Sequence, residues 1–370
     1  MSTLGVLQVL GRSAGGVALH VARIASGLDG VDGLVVEVAG PSDGPVAMPV
    51  PVREVLIPNG AARGHPRAIA RLRSIMATGG YALVHAHGLR AGIDSALAAR
   101  SVARPPEVVV TIHNLMHSGV LGDARASVYR RAEWLAVMLS AHAFAPSEQI
   151  ADHLKATIPR AADRIEVLHL GVGSPDPARP AAEVRRELGV LPGGRLVVTA
   201  ARLAPQKALE VMLEAVARLP GDVVLAIAGE GPQEAELRAL AADLGVADRV
   251  VFLGWTDDVA GYVAAADVFC LSSHWEAVAL AAQEAVAVGT PVVSTDVGGM
   301  GELITDRESG RLVPTGDPDA LAEALAEVLA SEATGRRYAA AARLRLEAEF
   351  STEAMLDRLG GFYLERLHAP

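Results

Sequence analysis

The stretch LVVTAARLAPQK, residues 196–207, followed by the amphipathic stretch Ala208–Leu219, decides the fold of the second half of this chain. An apolar β-branched run, a basic loop and a helical pattern in this order are typical of a βαβ unit, which builds parallel sheets. Ligands bind outside the carboxyl ends of parallel strands. The loop that carries Arg202 and Lys207 is therefore where chemistry is expected.

The same alternation of strand and helix patterns extends over the rest of the chain. In the second half, further strands are predicted at Val223–Ala228, Val250–Leu253, Val268–Leu271 and Pro291–Ser294. The helices between and after them are predicted at Gln233–Leu244, Val259–Ala265, Val278–Val288 and Pro318–Ala330. In the first half, strands are predicted at Val6–Leu10, Leu34–Val38, Leu83–His85, Val108–Ile112 and Ala143–Ala145. This pattern predicts an α/β protein with two doubly wound, Rossmann-like parallel sheets.

Lys207 is one of only two lysines among the 33 basic residues, the other being Lys155. The first turn of a helix leaves backbone N–H groups unpaired and carries roughly half a positive elementary charge. With the planar fork of Arg202 and the compact ammonium of Lys207, such a loop could hold two adjacent phosphates. Taken alone, such a basic pair is more often two solvated loop charges.

Length and composition favour two domains. The chain has 370 residues, of which 51% are hydrophobic and 21% charged, so it can bury two large cores. Residues 1–180 hold 17 basic and 14 acidic residues, whereas residues 181–370 hold 16 and 29. A Pro/Gly-rich stretch separates the halves. The predicted division is a first domain at 1–172, a linker at 173–184, a second domain at 185–350 and a final helical segment at 351–370.

The expected location is cytoplasmic, because no signal sequence or run of about 20 apolar residues stands out. The single cysteine, Cys270, lies inside an apolar run and is expected to be a buried core residue. Basic residues of Arg63–Met76 alternate with apolar ones, so this segment is either a solvated helix face or a helix that lies on the inner face of a membrane. No nucleic-acid partner is expected.

A glycine-rich loop follows the first strand, at residues 11–16, and ends in Gly15 and Gly16. Such a loop could approach a phosphate or a sugar closely, or could be only a tight turn. It lacks the G-x-G-x-x-G spacing, and no G-x4-G-K-S/T motif occurs in the chain. A dehydrogenase and a P-loop protein are therefore both disfavoured.

Two acidic residues follow the strand Val268–Leu271: Glu276 in the turn and Glu284 eight positions further on. In a helix this spacing separates them by roughly 9–12 Å, too far to share a proton or a metal ion. They could instead contact opposite ends of an extended ligand. The backbone N–H groups of Ala279 and Leu280 would face an anion between them.

These features together resemble the retaining, nucleotide-sugar-dependent glycosyltransferases of family 4, whose architecture is GT-B. The resemblance covers nearly the whole chain and rests on the order and spacing of short motifs. Besides residues 201–207 and the Glu276…Glu284 pair, they are IAGEGP (227–232), FLGW (252–255), GTPVVST (289–295), GG (298–299) and GRLVP (310–314). The resemblance implies two Rossmann-like domains facing across a cleft, with the last helix crossing back onto the first domain.

The resemblance also implies roles for the matching residues of the second half. Arg202 and Lys207 would hold the donor diphosphate, Glu276 the sugar hydroxyls and Glu284 the ribose hydroxyls. The remaining donor contacts would come from residues beside the base and from the helix start, namely Gly229, Glu230, Trp255, Thr256, Ala279 and Leu280.

In the first half, Gly15 and Gly16 match the family's glycine loop near the diphosphate and acceptor. His113 matches a histidine beside the reacting sugar carbon, although on its own a structural histidine would be an equal interpretation. His85 and His87 flank the end of another strand and are interpreted as structural.

One departure concerns the sugar site, because many relatives have Glu-Gly-Phe-Gly where this chain has Glu276-Ala277-Val278-Ala279. Alanine restricts backbone angles that glycine allows. The expected activity is nonetheless metal-independent transfer of a sugar from a nucleoside diphosphate, UDP in preference to GDP, with retention of configuration and without a cofactor. The acceptor could be a small molecule, a lipid or a glycan. A nucleotide-sugar-binding partner protein without turnover, and a nucleotide-sugar epimerase, remain alternatives.

Overall fold

The computed structural model describes residues 4–13, 15–44, 46–59, 63–114, 123–173 and 175–368. Their contacts divide the chain into two compact units. The first unit comprises Met1–Gly171 and Thr352–Pro370, and the second unit comprises Val172–Ser351.

The first unit contains a seven-stranded parallel sheet. Its strands are β1 (Leu4–Leu10), β2 (Leu34–Gly40), β3 (Val52–Glu54), β4 (Tyr81–His87), β5 (Glu107–Thr111), β6 (His142–Ala145) and β7 (Ile165–Val167). Their order across the sheet is β3-β2-β1-β4-β5-β6-β7. Strand β1 pairs with β2 on one side, from Leu4 opposite Leu34, and with β4 on the other. The direction of winding therefore reverses between β1 and β4, the topological switch point of this sheet.

The second unit repeats this topology with a six-stranded parallel sheet. Its strands are β8 (Arg195–Ala200), β9 (Val223–Ala228), β10 (Val250–Gly254), β11 (Val268–Leu271), β12 (Val292–Thr295) and β13 (Arg311–Val313). The order is β10-β9-β8-β11-β12-β13, so the switch point lies between β8 and β11. The two predicted doubly wound sheets are confirmed.

Helices connect the parallel strands. In the first unit they are α1 (Gly16–Leu28), α2 (His65–Gly79), α3 (Leu89–Ala99), α4 (Asp123–Leu139) and α5 (Glu148–Thr157). In the second unit they are α6 (Ala181–Glu187), α7 (Leu209–Ala217), α8 (Glu234–Asp243), α9 (Val259–Ala265), α10 (Leu280–Ala287), α11 (Met300–Leu303), α12 (Pro318–Ala330) and α13 (Glu332–Arg345). The last helix, α14 (Thr352–His368), belongs to the first unit.

The central strands of the second sheet are buried on both faces. In β8, the side chain of Val197 packs in one hydrophobic core, and those of Leu196 and Val198 pack in another on the opposite face. A strand covered by helices on both sides has no polar face. This explains why its sequence is a continuous apolar run rather than an alternating one. Cys270 of β11 is fully buried, as expected, and burial raises the pKa of its thiol.

The sequence prediction missed the short strands β3, β7 and β13. Each has three residues, which is too short to show a pattern of period two. The stretch assigned to a linker at 173–184 is also partly wrong, because α6 begins at Ala181 and buries Val184 in the second unit.

Helix α14 packs on α1 and β1. Met355, Leu359 and Tyr363 are buried in the same core as Val6 and Ile24. The crossing is close, because a Cβ on Gly27 would lie 2.2 Å from a methyl carbon of Leu356. The last helix thus completes the core of the unit to which the chain's first strand belongs.

Helix α2 carries the arginines that suggested membrane contact. Its apolar side is buried in the first unit, with Leu72, Ile75 and Met76 at most 4% exposed. These side chains are therefore not available to insert into a bilayer, and the interpretation as a solvated helix face fits the structure better. None of the helices in the described ranges is long and apolar enough to cross a membrane.

Candidate functional site

The loops after β8 and β11 meet at the switch point of the second sheet. There Lys207 Nζ lies 2.5 Å from Glu276 Oε1, although the two residues are 69 positions apart. The carboxylate is largely buried, and the same Oε1 accepts a hydrogen bond of 2.6 Å from Ser273 Oγ. An ion pair of two predicted donor ligands thus occupies the place where open α/β sheets bind ligands.

Hydrogen bonds to backbone carbonyls hold these two loops together. Ser272 Oγ donates to the carbonyl of Lys207 at 2.9 Å, and Gln206 Nε2 donates to the carbonyl of Trp275 at 3.0 Å. The N–H of His274 donates to the carbonyl of Gln206 at 2.9 Å. The position of the Lys207 side chain is therefore coupled to that of the Glu276 loop.

The loop after β8 contains a strained residue. Pro205–Lys207 form a short 3-10 turn, and the next residue, Ala208, has a left-handed conformation with φ of 45°. A non-glycine residue in this region costs about 1–3 kcal/mol and persists where its surroundings determine it. Ala208 is fully buried. The strain turns the chain sharply after Lys207 before α7 begins at Leu209.

Arg202, on the same loop, has an exposed side chain. Its side chain forms neither an ion pair nor a hydrogen bond among the described residues, and its backbone carbonyl accepts from the N–H of Ala204. Its guanidinium therefore remains available to an anionic ligand.

A third loop of the second unit contains Gly229 and Glu230 and follows β9. Gly229 has a φ of 130°, and a Cβ there would lie 2.1 Å from the carbonyl oxygen of Ala201. A Cβ on Gly231 would likewise lie 2.1 Å from the carbonyl oxygen of Leu203. Only glycine allows this loop to pack against the loop that carries Arg202.

The loop after β10 carries Trp255, which is 69% exposed. Its backbone N–H donates to Glu230 Oε1 at 3.3 Å. The loops that follow β9 and β10 are therefore also linked. Thr256 Oγ1 accepts from the N–H of Asp258 at 3.1 Å. Asp258 caps α9 by accepting from the N–H of Gly261 at 3.1 Å.

The start of α10 differs from the prediction. The backbone N–H of Leu280 donates to the carbonyl of Val278 at 3.1 Å, so it is not free to meet an anion. Ala279 is the residue before the helix, and Glu284 lies in its second turn. The expected separation of Glu276 and Glu284 stays a prediction.

In the first unit, the predicted residues also lie at the carboxyl ends of strands. Gly15 precedes α1 and Gly16 begins it, after the loop that follows β1. Ala14, between them and β1, lies outside the described residues. His113 follows β5, and its Nε2 is 3.1 Å from Nδ1 of His87 at the end of β4.

Buried histidines surround His113. His20, His85 and His87 are at most 4% exposed. Burial lowers the pKa of all of them, that of His85 to about 3 and that of His113 to about 4. The first unit therefore presents neutral imidazoles at its switch point.

Two family models match the chain: "Glycosyltransferase Family 4" at residues 14–173 and "Glycosyl transferases group 1" at residues 181–345. Together they cover most of both units. The chain belongs to glycosyltransferase family 4.

Curated relatives agree with this family. The lipopolysaccharide core biosynthesis glycosyltransferase LpsE of Rhizobium meliloti is 38% identical over 179 residues, which are 48% of this chain and 52% of LpsE. A D-inositol 3-phosphate glycosyltransferase of Mycobacterium marinum is 33% identical over 294 residues, 76% of this chain and 58% of that protein. The aligned regions thus span little more than half of the curated relatives.

The fold is that of solved GT-B structures. Anabaena HepE in complex with UDP has a TM-score of 0.82 at 21% identity, covering 98% of this chain and all of HepE. A structure of the same protein with UDP-glucose has a TM-score of 0.80.

Sequence reasoning missed several residues that shape the site of this family 4 glycosyltransferase. Ser273 and Gln206 act through hydrogen bonds that only the meeting of two distant loops creates. Gly298 has a φ of 58°, and a Cβ there would lie 2.6 Å from the carbonyl oxygen of Glu276. The GG pair at 298–299 was quoted as a motif, but its contact with Glu276 is visible only in the fold. His20 carried no signal beyond its place on α1.

Proposed function

We propose that this family 4 glycosyltransferase transfers a sugar from a UDP-sugar to a hydroxyl group of an acceptor, with retention of configuration and without a metal ion. The observation that carries the proposal is the Lys207–Glu276 ion pair at the switch point of the second sheet, with Arg202 on the same loop as Lys207. These three residues supply two cations for a diphosphate and one carboxylate for a sugar.

The ion pair suggests how the site changes when the donor binds. Without donor, Lys207 and Glu276 neutralise one another. A diphosphate brings more negative charge than one carboxylate, so it competes for the ammonium group. Once Lys207 turns to the phosphates, Glu276 can accept hydrogen bonds from sugar hydroxyls. Ser273 keeps the carboxylate in place during this exchange.

Arg202 and Lys207 would lower the barrier by stabilising the leaving diphosphate. In the proposed front-side reaction, the bond from the anomeric carbon to the phosphate oxygen breaks while the acceptor oxygen bonds to that carbon on the same face. The departing phosphate oxygen takes the acceptor's proton, and UDP is released. Positioned cations are most effective where charge develops in the transition state.

The preference for UDP is supported by the UDP and UDP-glucose complexes of HepE. Exposed Trp255, held by Glu230, offers an aromatic surface beside which a base could stack. Glu284 is assigned to the ribose hydroxyls. The roles of His113, Gly15 and Gly16 at the reacting sugar and acceptor rest on the family resemblance.

Donor consumption by the purified full chain tests this proposal. UDP-, GDP-, ADP- and dTDP-sugars are incubated with the enzyme and a mixture of polyol, sugar and lipid acceptors in the presence of EDTA. We expect release of UDP, and slow hydrolysis of the UDP-sugar when the acceptor is omitted. NMR of the product should show the anomeric configuration of the donor.

Three outcomes would contradict parts of the proposal. Binding of UDP-sugars without turnover under any acceptor would indicate a partner protein that only binds nucleotide sugars. A changed sugar that stays attached to UDP would indicate an epimerase. Loss of turnover on EDTA treatment, or an inverted product, would refute metal independence or retention.

A further inference from the structure

Three histidine side chains converge at the switch point of the first sheet. His20 comes from α1, His87 ends β4 and His113 follows β5. Their ring centroids form a triangle in which each side is 5.4 Å. One ring nitrogen of each residue lies within 4.8 Å of the others.

Hydrogen bonds determine which nitrogens of His87 and His113 carry protons. Gln8 Nε2 donates to Tyr363 Oη at 3.0 Å, so Gln8 Oε1 is left to accept from His87 Nε2 at 2.8 Å. Neutral His87 then has an unprotonated Nδ1, which accepts from His113 Nε2 at 3.1 Å. The orientation of Tyr363 is set in turn by His85, whose Nδ1 lies 2.5 Å from Oη.

Several nitrogens of this cluster are buried without a partner among the described residues. Both ring nitrogens of His20 lack a hydrogen bond, and so does His113 Nδ1. His20 is 1% exposed. A buried polar atom without a partner is costly, and each such atom in a native protein needs an explanation.

We propose that His20, His87 and His113 form a binding site for Zn²⁺ or a similar first-row transition metal ion, with a fourth position open to water. Three imidazoles with an open position are a known ligand set for zinc. At the usual Zn–N distance, tetrahedral ligands lie about 3.3 Å apart. His87 Nδ1 and His113 Nε2, at 3.1 Å, already have this spacing.

The surroundings of the site suit a metal ion. A histidine ligand typically donates its second N–H to a fixed acceptor, which orients the ring. His87 does so to Gln8. Binding needs no net loss of a proton, because the proton of His113 moves from Nε2 to Nδ1. The ligand atoms now lie within 4.8 Å of one another. His20 therefore has to approach the other two by up to about 1.5 Å, and it thereby gains the partner that it lacks.

Among the described residues, the charged side chain that acts on His20 is that of Arg23, on the same helix, and its effect is unfavourable to a cation. Its guanidinium is directed instead to the carbonyl of Gly171, at 2.7 Å. The other groups that act on the three ligands are neutral histidines. The charge of Arg23 should therefore weaken zinc binding without preventing it.

Bound zinc would occupy the nitrogen of His113, so this histidine could not act on the donor sugar. This consequence for sugar transfer rests on the proposed function, whereas the metal site does not. Zinc binding and sugar transfer are therefore measured separately.

Zinc binding is tested on the full chain after removal of metals with a chelator. Titration with ZnCl₂ against a chromophoric chelator should give one ion per chain. Replacement by Co²⁺ should give the visible absorption of a tetrahedral ion. We expect His20→Gln and His113→Gln each to weaken zinc binding at least 100-fold, with unchanged circular dichroism.

Two histidines of the same unit serve as matched controls. His142 is also buried with ring nitrogens that lack a hydrogen bond, and His153 is partly exposed beside Glu133. Zinc affinity should be unchanged in His142→Gln and His153→Gln. No zinc bound to the folded chain, or equal affinity in a folded His20→Gln variant, overturns the proposal. Loss of the ion in His153→Gln would do so too, because it would indicate an adventitious surface site.

Gln8→Leu provides a second test that leaves all three ligands in place. Loss of a partner that orients a metal ligand typically lowers affinity 10- to 100-fold. We expect a decrease in this range for Gln8→Leu, with Co²⁺ still bound at saturating concentration. An unchanged affinity in the folded variant would show that His87 is not a ligand.

Discussion

The two units share the strand order around their switch points, but the side chains there are charged in the second unit and neutral in the first. At the switch point of the second sheet, a Lys207–Glu276 ion pair joins the loops after its first and fourth strands in sequence order, β8 and β11. At the switch point of the first sheet, the equivalent strand β1 is followed by a glycine loop, and the equivalent strand β4 ends in His87. The Rossmann topology decides where loops meet, whereas the side chains decide whether charged or neutral groups occupy that place.

This difference extends to the whole units. The second unit contains a single histidine, His274, although the chain has eleven. The first unit buries four histidines as neutral rings. Acid should therefore act mainly on the first unit, and changes at the anion site mainly on the second.

Acidification should give the largest difference between the units. The folded-state pKa of His113 is lowered to about 4 and that of His85 to about 3, against about 6.5 when unfolded. Groups with lowered pKa stabilise the fold above pH 6.5, and this contribution is lost as the pH falls toward 4. Each such histidine should lower the free energy of unfolding by on the order of 2 kcal/mol between pH 6.5 and 5.

Hydrogen exchange measured by mass spectrometry at pH 7.5 and 5.0, in the presence of EDTA, resolves the two units. We expect β1, β4 and β5 to lose protection at pH 5.0, while β8 and β11 stay protected. Equal losses in both units would mean that the buried histidines do not determine acid stability.

Replacing Lys207 should give the next largest effect. We expect Lys207→Ala to lower the rate of sugar transfer about 100- to 1,000-fold, because one cation for the leaving diphosphate is lost. The only other lysine provides the control: Lys155 lies in the last turn of α5, in the first unit. Lys155→Ala should leave the rate unchanged.

Lys207→Arg distinguishes charge from shape at this site. A guanidinium presents its donors in a rigid planar fork, unlike the compact ammonium that lies against Glu276, so we expect a clearly reduced rate. Wild-type turnover in Lys207→Arg would show that positive charge alone is sufficient.

Gly298→Ala should disturb Glu276 through the backbone. The new Cβ would lie 2.6 Å from the Glu276 carbonyl oxygen at a φ of 58°. We expect a loss of about 1–3 kcal/mol in the free energy of unfolding of the second unit, together with slower sugar transfer. Denaturant titration and initial rates measure the two effects.

Gly289→Ala is the matched control for Gly298→Ala. Gly289 has a φ of 86°, and a Cβ there meets no atom within 4 Å. Gly289→Ala should therefore lower the free energy of unfolding through the left-handed conformation alone and leave the rate of sugar transfer unchanged. If both variants slow transfer equally, the close approach of Gly298 to Glu276 is not what matters.

Tyr363→Phe should have the smallest effect. It removes the hydroxyl that Gln8 and His85 share. A buried group left without its hydrogen-bond partner costs about 1–3 kcal/mol, and we expect the lower part of this range because the ring still packs. The loss should appear in the first unit by hydrogen exchange.

Tyr338→Phe gives the comparison for the second unit. Tyr338 is equally buried, and its hydroxyl donates to Glu327 Oε1 at 2.8 Å. The loss of hydrogen-exchange protection in Tyr338→Phe should appear in the second unit only. Global destabilisation by either variant would show that the two units unfold together.

Much of the fold was predictable because it depends on local patterns. Runs such as Val223–Ala228 and Val268–Leu271 are long enough to be assigned as strands from their composition. The strands β3, β7 and β13 were not predictable, because three residues carry no periodicity. The predicted linker failed at α6 for a related reason: proline and glycine mark where a helix cannot continue, but not how soon the next one begins.

The candidate site was predictable only in part. Arg202, Lys207 and Glu276 were found from loop position and family motifs. The ion pair between Lys207 and Glu276 was not predictable, because these two residues are 69 positions apart in the chain. The N–H of Leu280 was predicted to be free, yet it pairs locally with Val278. That outcome depends on backbone angles at the helix start, which composition does not specify.

By itself, the sequence determined the fold class, the family and the loops in which the chemistry lies, because these depend on hydrophobic periodicity and on short motifs. Only the tertiary structure decided which side chains meet. It paired Lys207 with Glu276, and it brought His20, His87 and His113 together from one helix and two strand ends. The physical reason is that winding a parallel sheet in two directions brings loops together that are far apart in the chain.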